Sequence, residues 1–183
     1  MTGATLAGAD LRSADLSEAD LSGADLFGVE APSANFDFAS LQGVDASFGD
    51  FENAGLFDTD LTGSDFSFAI LTGADLRFAT WKDVKLDANT RIDAKPKLIW
   101  HLVNNPVTNA ILTNLDLSAA MLMNLNFNDA NFTGSNLRTT DLTGSDIRGA
   151  NFTLANLALV NSRHTDGRHD RDRFQIAPGL ADP

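Results

Sequence analysis

A chain with no cysteine must draw any chemistry from its 25 carboxylates, its three histidines, and the serines and glycines between them. The missing thiols exclude disulfides, a thiolate nucleophile and cysteine-ligated zinc or iron–sulfur clusters. His164, Asp166, His169, Asp170 and Asp172 are metal-ligand types crowded into the last 21 residues, RHTDGRHDRDRFQIAPGLADP. No helical or loop pattern there fixes a coordination geometry, so no metal is expected. The third histidine, His101, lies far from them in a different segment, and a Ser-His-Asp relay would hang on segments outside the regular pattern of the chain. Gly8, Gly23, Gly43, Gly63, Gly73, Gly134 and Gly144 are scattered at regular places rather than gathered in a phosphate loop. The aspartates also recur at fixed intervals, which argues against singling out any two as an acid–base pair. Neither catalysis nor a cofactor is expected.

What positions these residues is a repeat of five. Counting from Leu6 gives the centres Leu6, Leu11, Leu16, Leu21, Leu26, Ala31, Phe36, Leu41, Ala46, Phe51, Leu56, Leu61, Phe66, Leu71, Leu76, Trp81 and Leu86. Two residues before each centre the side chain is small or β-branched, and alanine fills 11 of the 17 places. The residue just before the centre is usually Asp or Asn. The pattern resumes at Leu112 and runs through Leu117, Leu122, Phe127, Phe132, Leu137, Leu142, Ile147, Phe152 and Leu157, one residue out of phase with the first block. Five matches neither the 3.6 period of a helix nor the 2 of a strand. It suits a chain that turns a corner every five residues, so that four sides close a coil of 20 and successive coils stack with ~4.8 Å rise. Residues 20 apart then pack on each other. Ala31 falls between Leu11 and Phe51, and Ala46 between Leu26 and Phe66, so each deficit of volume lies against a phenylalanine, as close packing requires.

Segments such as Ala9-Asp10-Leu11-Arg12-Ser13 and Ala150-Asn151-Phe152-Thr153-Leu154 resemble the pentapeptide-repeat family, and the likeness covers 27 pentads, about 135 of 183 residues. It implies an all-β, right-handed quadrilateral β-helix, with centres and small residues inside and the other three positions outside. An interior filled by Leu, Phe and Ala leaves no room for a catalytic pocket.

One short helical insert is expected to interrupt this solenoid. The expected organisation is a first β-helix block over 1–87, the insert over 88–109, a second block over 110–162 and a flexible tail over 163–183. In DANTRIDAKPKLIWHLVNNPVTN, Pro96 suits a first helical position, Leu98, Ile99, Leu102 and Val103 share a side, and Asn104, Asn105 and Pro106 stop the helix. About nine helical residues are not stable alone. They serve either as a lid over open β-helix core or as a docking element that presents Trp100 and His101 outward.

The net charge of −12 sits almost wholly in the first block, where residues 1–86 hold 15 acids and 4 bases. Direct nucleic-acid binding is therefore not expected, since that affinity comes from lysine and arginine. No apolar run approaches the ~20 residues of a membrane span. The opening MTGATLAGAD lacks signal-peptide architecture, so the expected compartment is the cytoplasm, although a removed targeting peptide would leave no trace in this sequence. Six of 13 phenylalanines are centres, but six others take outward places: Phe27, Phe48 and Phe68 on one side, Phe38, Phe57 and Phe78 on the opposite one. Exposed aromatics of this kind mark contact sites. Together with Trp100 they are the candidate contact residues of a non-enzymatic protein-binding or scaffold module. Its partner is a protein of unknown identity, or a second copy of the chain meeting it through solenoid ends or aromatic faces. An alternative follows from charge: net −11 over ~20 Å of coil approaches the density of duplex DNA. Some pentapeptide-repeat proteins protect DNA gyrase from quinolones as DNA mimics, which makes a topoisomerase the alternative partner.

Overall fold

The computed structural model describes residues 1–105 and 108–163. The chain divides into two compact units, Met1–Asn104 and the part that begins at Asn105. The tail with its metal-ligand types His164, Asp166, His169, Asp170 and Asp172 lies outside the described residues.

In the first unit the residue before each centre pairs in parallel with its equivalent 20 positions on, from Thr5 with Asp25 to Asp65 with Lys85. Each five-residue side uses its backbone in the same way. The centre's N–H reaches the next coil, as Leu26 N does to Asp45 O at 2.7 Å. The N–H three residues later closes the corner, as Val29 N does to Leu26 O at 3.0 Å. One N–H per side is left over, and the Asp or Asn before the centre takes it: Arg12 N donates to Asp10 Oδ1, Phe27 N to Asp25 Oδ1 and Thr133 N to Asn131 Oδ1. This local turn accounts for the repeated acid without any catalytic role.

The inside is packed as the five-residue period requires. Leu21, Leu26, Phe36, Leu41, Phe51, Leu56, Leu61, Phe66, Leu71 and Trp81 are buried, while Leu6, Leu11 and Leu16 of the first coil are half-buried. Ala31 and Ala46 are buried beside a file of rings in which Phe51 lies 5.9 Å from Phe36 and 5.3 Å from Phe66. Gly49 completes the space for Phe51: a Cβ there would come within 2.5 Å of its Cε2. Buried hydroxyls are satisfied by carbonyls, Thr59 Oγ1 donating to Phe36 O at 2.8 Å and Ser64 Oγ to Leu61 O at 2.6 Å.

The one-residue slip of phase occurs before the helix, in the turn at 87–90. Ile70 pairs with Arg91, 21 residues on, whereas Asp65 pairs with Lys85. The Asp87 carboxylate holds the longer turn, accepting from Phe68 N and Thr90 N at 2.9 Å each and from Thr90 Oγ1 at 2.8 Å. Ile92 is then a further centre, and it stands 20 positions before Leu112, in phase with the second block.

The helix α1 spans Ala94–Asn104, starting two residues earlier than Pro96 suggested. Proline is tolerated in the first turn, where its missing N–H has no helical partner to lose. Ile99 and Leu102 are its buried residues; Leu98 and Val103 are only half-buried. The helix lies on the last coil of the first unit. Trp100 Nε1 donates to Val84 O, and Asn104 Nδ2 to Trp81 O, each at 2.8 Å, while Asp83 N donates to Asn104 Oδ1 at 2.9 Å.

The second unit repeats the architecture from Ile111 paired with Asn131 to Asp141 paired with Asn161. Its core runs from Leu112 through Phe127 and Phe132 to Phe152. Asparagines replace many of the aspartates outside, and their amides link coils, Asn136 Nδ2 to Asp116 Oδ1 at 3.1 Å and Asn156 Nδ2 to Asn136 Oδ1 at 3.0 Å. Among the described residues no helix is long and apolar enough to cross a membrane.

Candidate contact face of the first unit

Among the described residues every corner of the regular coils ends on a left-handed residue, two places after the centre; the longer turn at 87–90 does not. Glycine takes this conformation readily and other residues at a cost of ~1–2 kcal/mol. Gly8, Gly23, Gly43 and Gly63 hold such places with φ between 62° and 71°. Phe38, Phe48, Phe68 and Phe78 hold the same place with φ between 60° and 62°. A bulky aromatic ring is thus kept where the fold prefers glycine.

Phe48 and Phe68 share a side of the coil with Phe27, which stands one position earlier in its own corner. The three form a column. Phe27 and Phe48 have ring centroids 5.4 Å apart with a 51° tilt, and Phe48 and Phe68 are stacked at 4.6 Å and 2°. They remain 48%, 54% and 45% exposed. On the opposite side Phe38, Phe57 and Phe78 contact one another edge to face, at 5.4 Å for each pair. Phe38 is exposed, Phe57 and Phe78 are half-buried, and the Arg77 guanidinium lies over the Phe57 ring at 5.3 Å. That column is partly closed by its own chain; the first is not.

Trp100 does not join either column. It is half-buried with its indole N–H turned to Val84, unlike the outward ring of the docking alternative, while His101 beside it is exposed. The exposed Leu154 and Leu159 of the second unit hold left-handed corner places too. They stand five residues apart, on adjacent sides, and form no column.

Counting total charge missed a feature that register alone would have shown. Asp25, Asp45 and Asp65 pair in parallel from coil to coil, which sets the three acids in one column two or three residues before Phe27, Phe48 and Phe68. The fourth place is Lys85, whose Nζ reaches back to Asp65 Oδ2 at 3.4 Å. Burial raises the Asp65 pKa, but the Ser67 hydroxyl, the Ser67 N–H and Lys85 outweigh it and hold the group below the ordinary carboxylate value. No lysine, arginine or histidine among the described residues pairs with Asp25 or Asp45. No group of three or more histidine, cysteine or acidic residues among them is arranged to hold a metal ion.

The sequence pattern described as pentapeptide repeats matches the chain in eight copies, over residues 1–30, 20–58, 50–80, 107–138 and 126–157. No curated protein matches it. Among solved structures, alr5209, a pentapeptide repeat protein from Nostoc Pcc 7120, is 33% identical over 49% of this chain and 75% of its own, with a TM-score of 0.48. HetL, a pentapeptide repeat protein involved in heterocyst differentiation regulation from the cyanobacterium Nostoc sp. strain PCC 7120, is 23% identical. It covers 90% of this chain and 83% of its own, at a TM-score of 0.40. QnrB1, a plasmid-mediated fluoroquinolone resistance protein, is 19% identical over 90% of this chain and 78% of its own, at 0.33.

Proposed function

The chain belongs to the pentapeptide-repeat family, and from that premise we propose that it is a non-enzymatic module, a right-handed quadrilateral solenoid that binds another protein through the first unit. The observation that carries this reading is the Phe27–Phe48–Phe68 column. It leaves three aromatic rings about half exposed, two of them at left-handed positions where glycine would serve the fold better. Aromatic anchors dominate the energy of protein interfaces, and an apolar column of this kind is covered when a partner docks. The filled interior supports the absence of catalysis in the same reading.

The test compares the parent with a Phe48→Ser, Phe68→Ser variant as baits in a lysate of the source organism. Proteins held by the parent should be lost from the variant while the melting temperature stays close to the parent's. Equal recovery by both baits would remove the reading. A second reading, decoy of duplex DNA, is favoured by the stacked carboxylates on two sides, Asp10, Glu30 and Asp50 as well as Asp25, Asp45 and Asp65. A gyrase supercoiling assay with and without a quinolone decides it; no effect at micromolar protein would exclude it.

A further inference from the structure

The contact face has a charge requirement that the aromatic column alone does not express. Like charges directly opposite in paired strands destabilise a sheet, and the coils stack Asp25, Asp45 and Asp65 at ~4.8 Å per rung. Elsewhere in the unit most such acids are answered from within the chain, although Asp50 too accepts only a backbone N–H, that of Glu52. Arg12 binds both Asp10 and Glu30, Asn35 donates to Asp15, Gln42 and Thr80 donate to Asp60, and Arg77 pairs with Asp75. Among the described residues the only cation that answers this column is Lys85, at its end, and it reaches Asp65. Asp25 has a single bond from Phe27 N, and Asp45 has bonds from Ser47 alone. Lys85 shows what the two remaining positions take: a cation set one rung away.

Resting on the contact reading above, we propose that this face receives a basic amphipathic helix of a partner protein. Its apolar stripe lies along the Phe27, Phe48 and Phe68 rings, and its flanking lysines or arginines lie over Asp25 and Asp45. The apolar stripe follows from ring orientation. Phe48 and Phe68 lie face to face at 2°, so this pair offers ring edges to the outside, while Phe27 is tilted by 51° against Phe48. A cation prefers ring faces; edges in a column suit aliphatic or aromatic side chains, and the cation belongs on the carboxylates.

The helix follows from spacing. The two ring-to-ring steps, 5.4 and 4.6 Å, come to about 10 Å. Positions i and i+7 of a helix rise ~10.5 Å, with one side chain per ~5.4 Å turn for each rung. An extended segment laid the same way would repeat every ~6.8 Å and fall out of step. The acid and ring columns are two to three residues apart, ~7–10 Å, a width that one helix of ~10–12 Å covers. A second copy of the first unit is a poor occupant, because it would bring its own net −10 against the column.

The probes are three synthetic helical peptides of about 20 residues, each with leucines at i, i+4 and i+7, flanked by lysines, glutamines or glutamates. Binding to the full chain is read by fluorescence anisotropy. The lysine peptide should bind, at least about tenfold more tightly than the glutamine peptide, and the glutamate peptide least. Binding should weaken with salt. Asp25→Asn, Asp45→Asn should abolish that preference without loss of fold, since Asn35 and Asn131 already make the same turn. Phe48→Ser, Phe68→Ser should weaken the lysine and glutamine peptides alike. No binding of the lysine peptide, or a preference that survives the Asp→Asn changes, would overturn the proposal. Equal binding of lysine and glutamine peptides that depends on the rings would overturn the charge requirement and leave the contact reading standing. Binding indifferent to the ring variants would remove both.

Discussion

Single residues carry three jobs in each five-residue side, and the aspartate before the centre is the one that pH can reach. Its carboxylate accepts the N–H that the coil ladder leaves over, with serine or threonine hydroxyls added where the sequence supplies them. In Asp20 the Ser22 hydroxyl, the Ser22 N–H and Thr2 hold the pKa at about 2. In Asp87 burial pushes the other way, but the Phe68 N–H and the bonds from Asn89 and Thr90 prevail and bring it to about 2 as well. Both folded values lie below the ~3.9 of an unfolded aspartate. The folded carboxylates therefore contribute stability that is fully present above pH ~4 and is lost as the pH falls from ~4 towards 2. The urea midpoint should fall across that window, and an Asp20→Asn, Asp87→Asn variant should lose less of it than the parent. A pH-independent midpoint for the parent would show that these hydrogen bonds do not distinguish folded from unfolded chain.

At the scale of elements, the coil follows from the five-residue period because large apolar side chains at that spacing have one way to share an inside. Leu61 and Phe66 could be placed in the core from position alone, as could the volume exchange between Ala31, Ala46 and their neighbouring phenylalanines. The helix was less legible. Its existence shows in Pro96 and the following apolar residues, but which face is buried depends on a partner surface that periodicity does not describe. The structure buries Ile99 and Leu102 and turns Trp100 towards Val84. The slip of phase was visible as a shift between blocks, but its place was not. The extra residue is held by the side-chain bonds of Asp87 rather than by any hydrophobic pattern. Because α1 covers the last coil, Leu102→Ala should cost ~2–5 kcal/mol, the range for truncating a buried leucine. Denaturant titration of that variant against His101→Ala, which alters an exposed position on the same helix, checks it. Equal stability of the two would mean that the helix does not seal the coil.

At the scale of the whole molecule, the two units share a fold and differ in what they show to solvent. Residues 1–86 carry net −11 and two outward aromatic columns, whereas residues 110–162 hold 4 acids and 2 bases and build amide ladders from asparagine. A repeat that asks only for Asp or Asn before the centre leaves that choice free, which is why charge and aromatic rings can be concentrated in one unit without changing the coil. The columns were readable from position modulo 20. The difference between them was not, since the partial closure of the Phe57 side depends on where Arg77 settles. The central claim is that Phe48 and Phe68 are kept for a partner rather than for the fold. It is tested most directly by Phe48→Gly and Phe68→Gly, measured by denaturant titration. Glycine relieves ~1–2 kcal/mol of left-handed strain at each site and forfeits ring contacts worth ~0.5–1.5 kcal/mol per pair, together with the buried half of each ring. The account predicts that each variant lies within ~1 kcal/mol of the parent. A loss of ~3–5 kcal/mol, the range for a phenylalanine removed from a core, would contradict it.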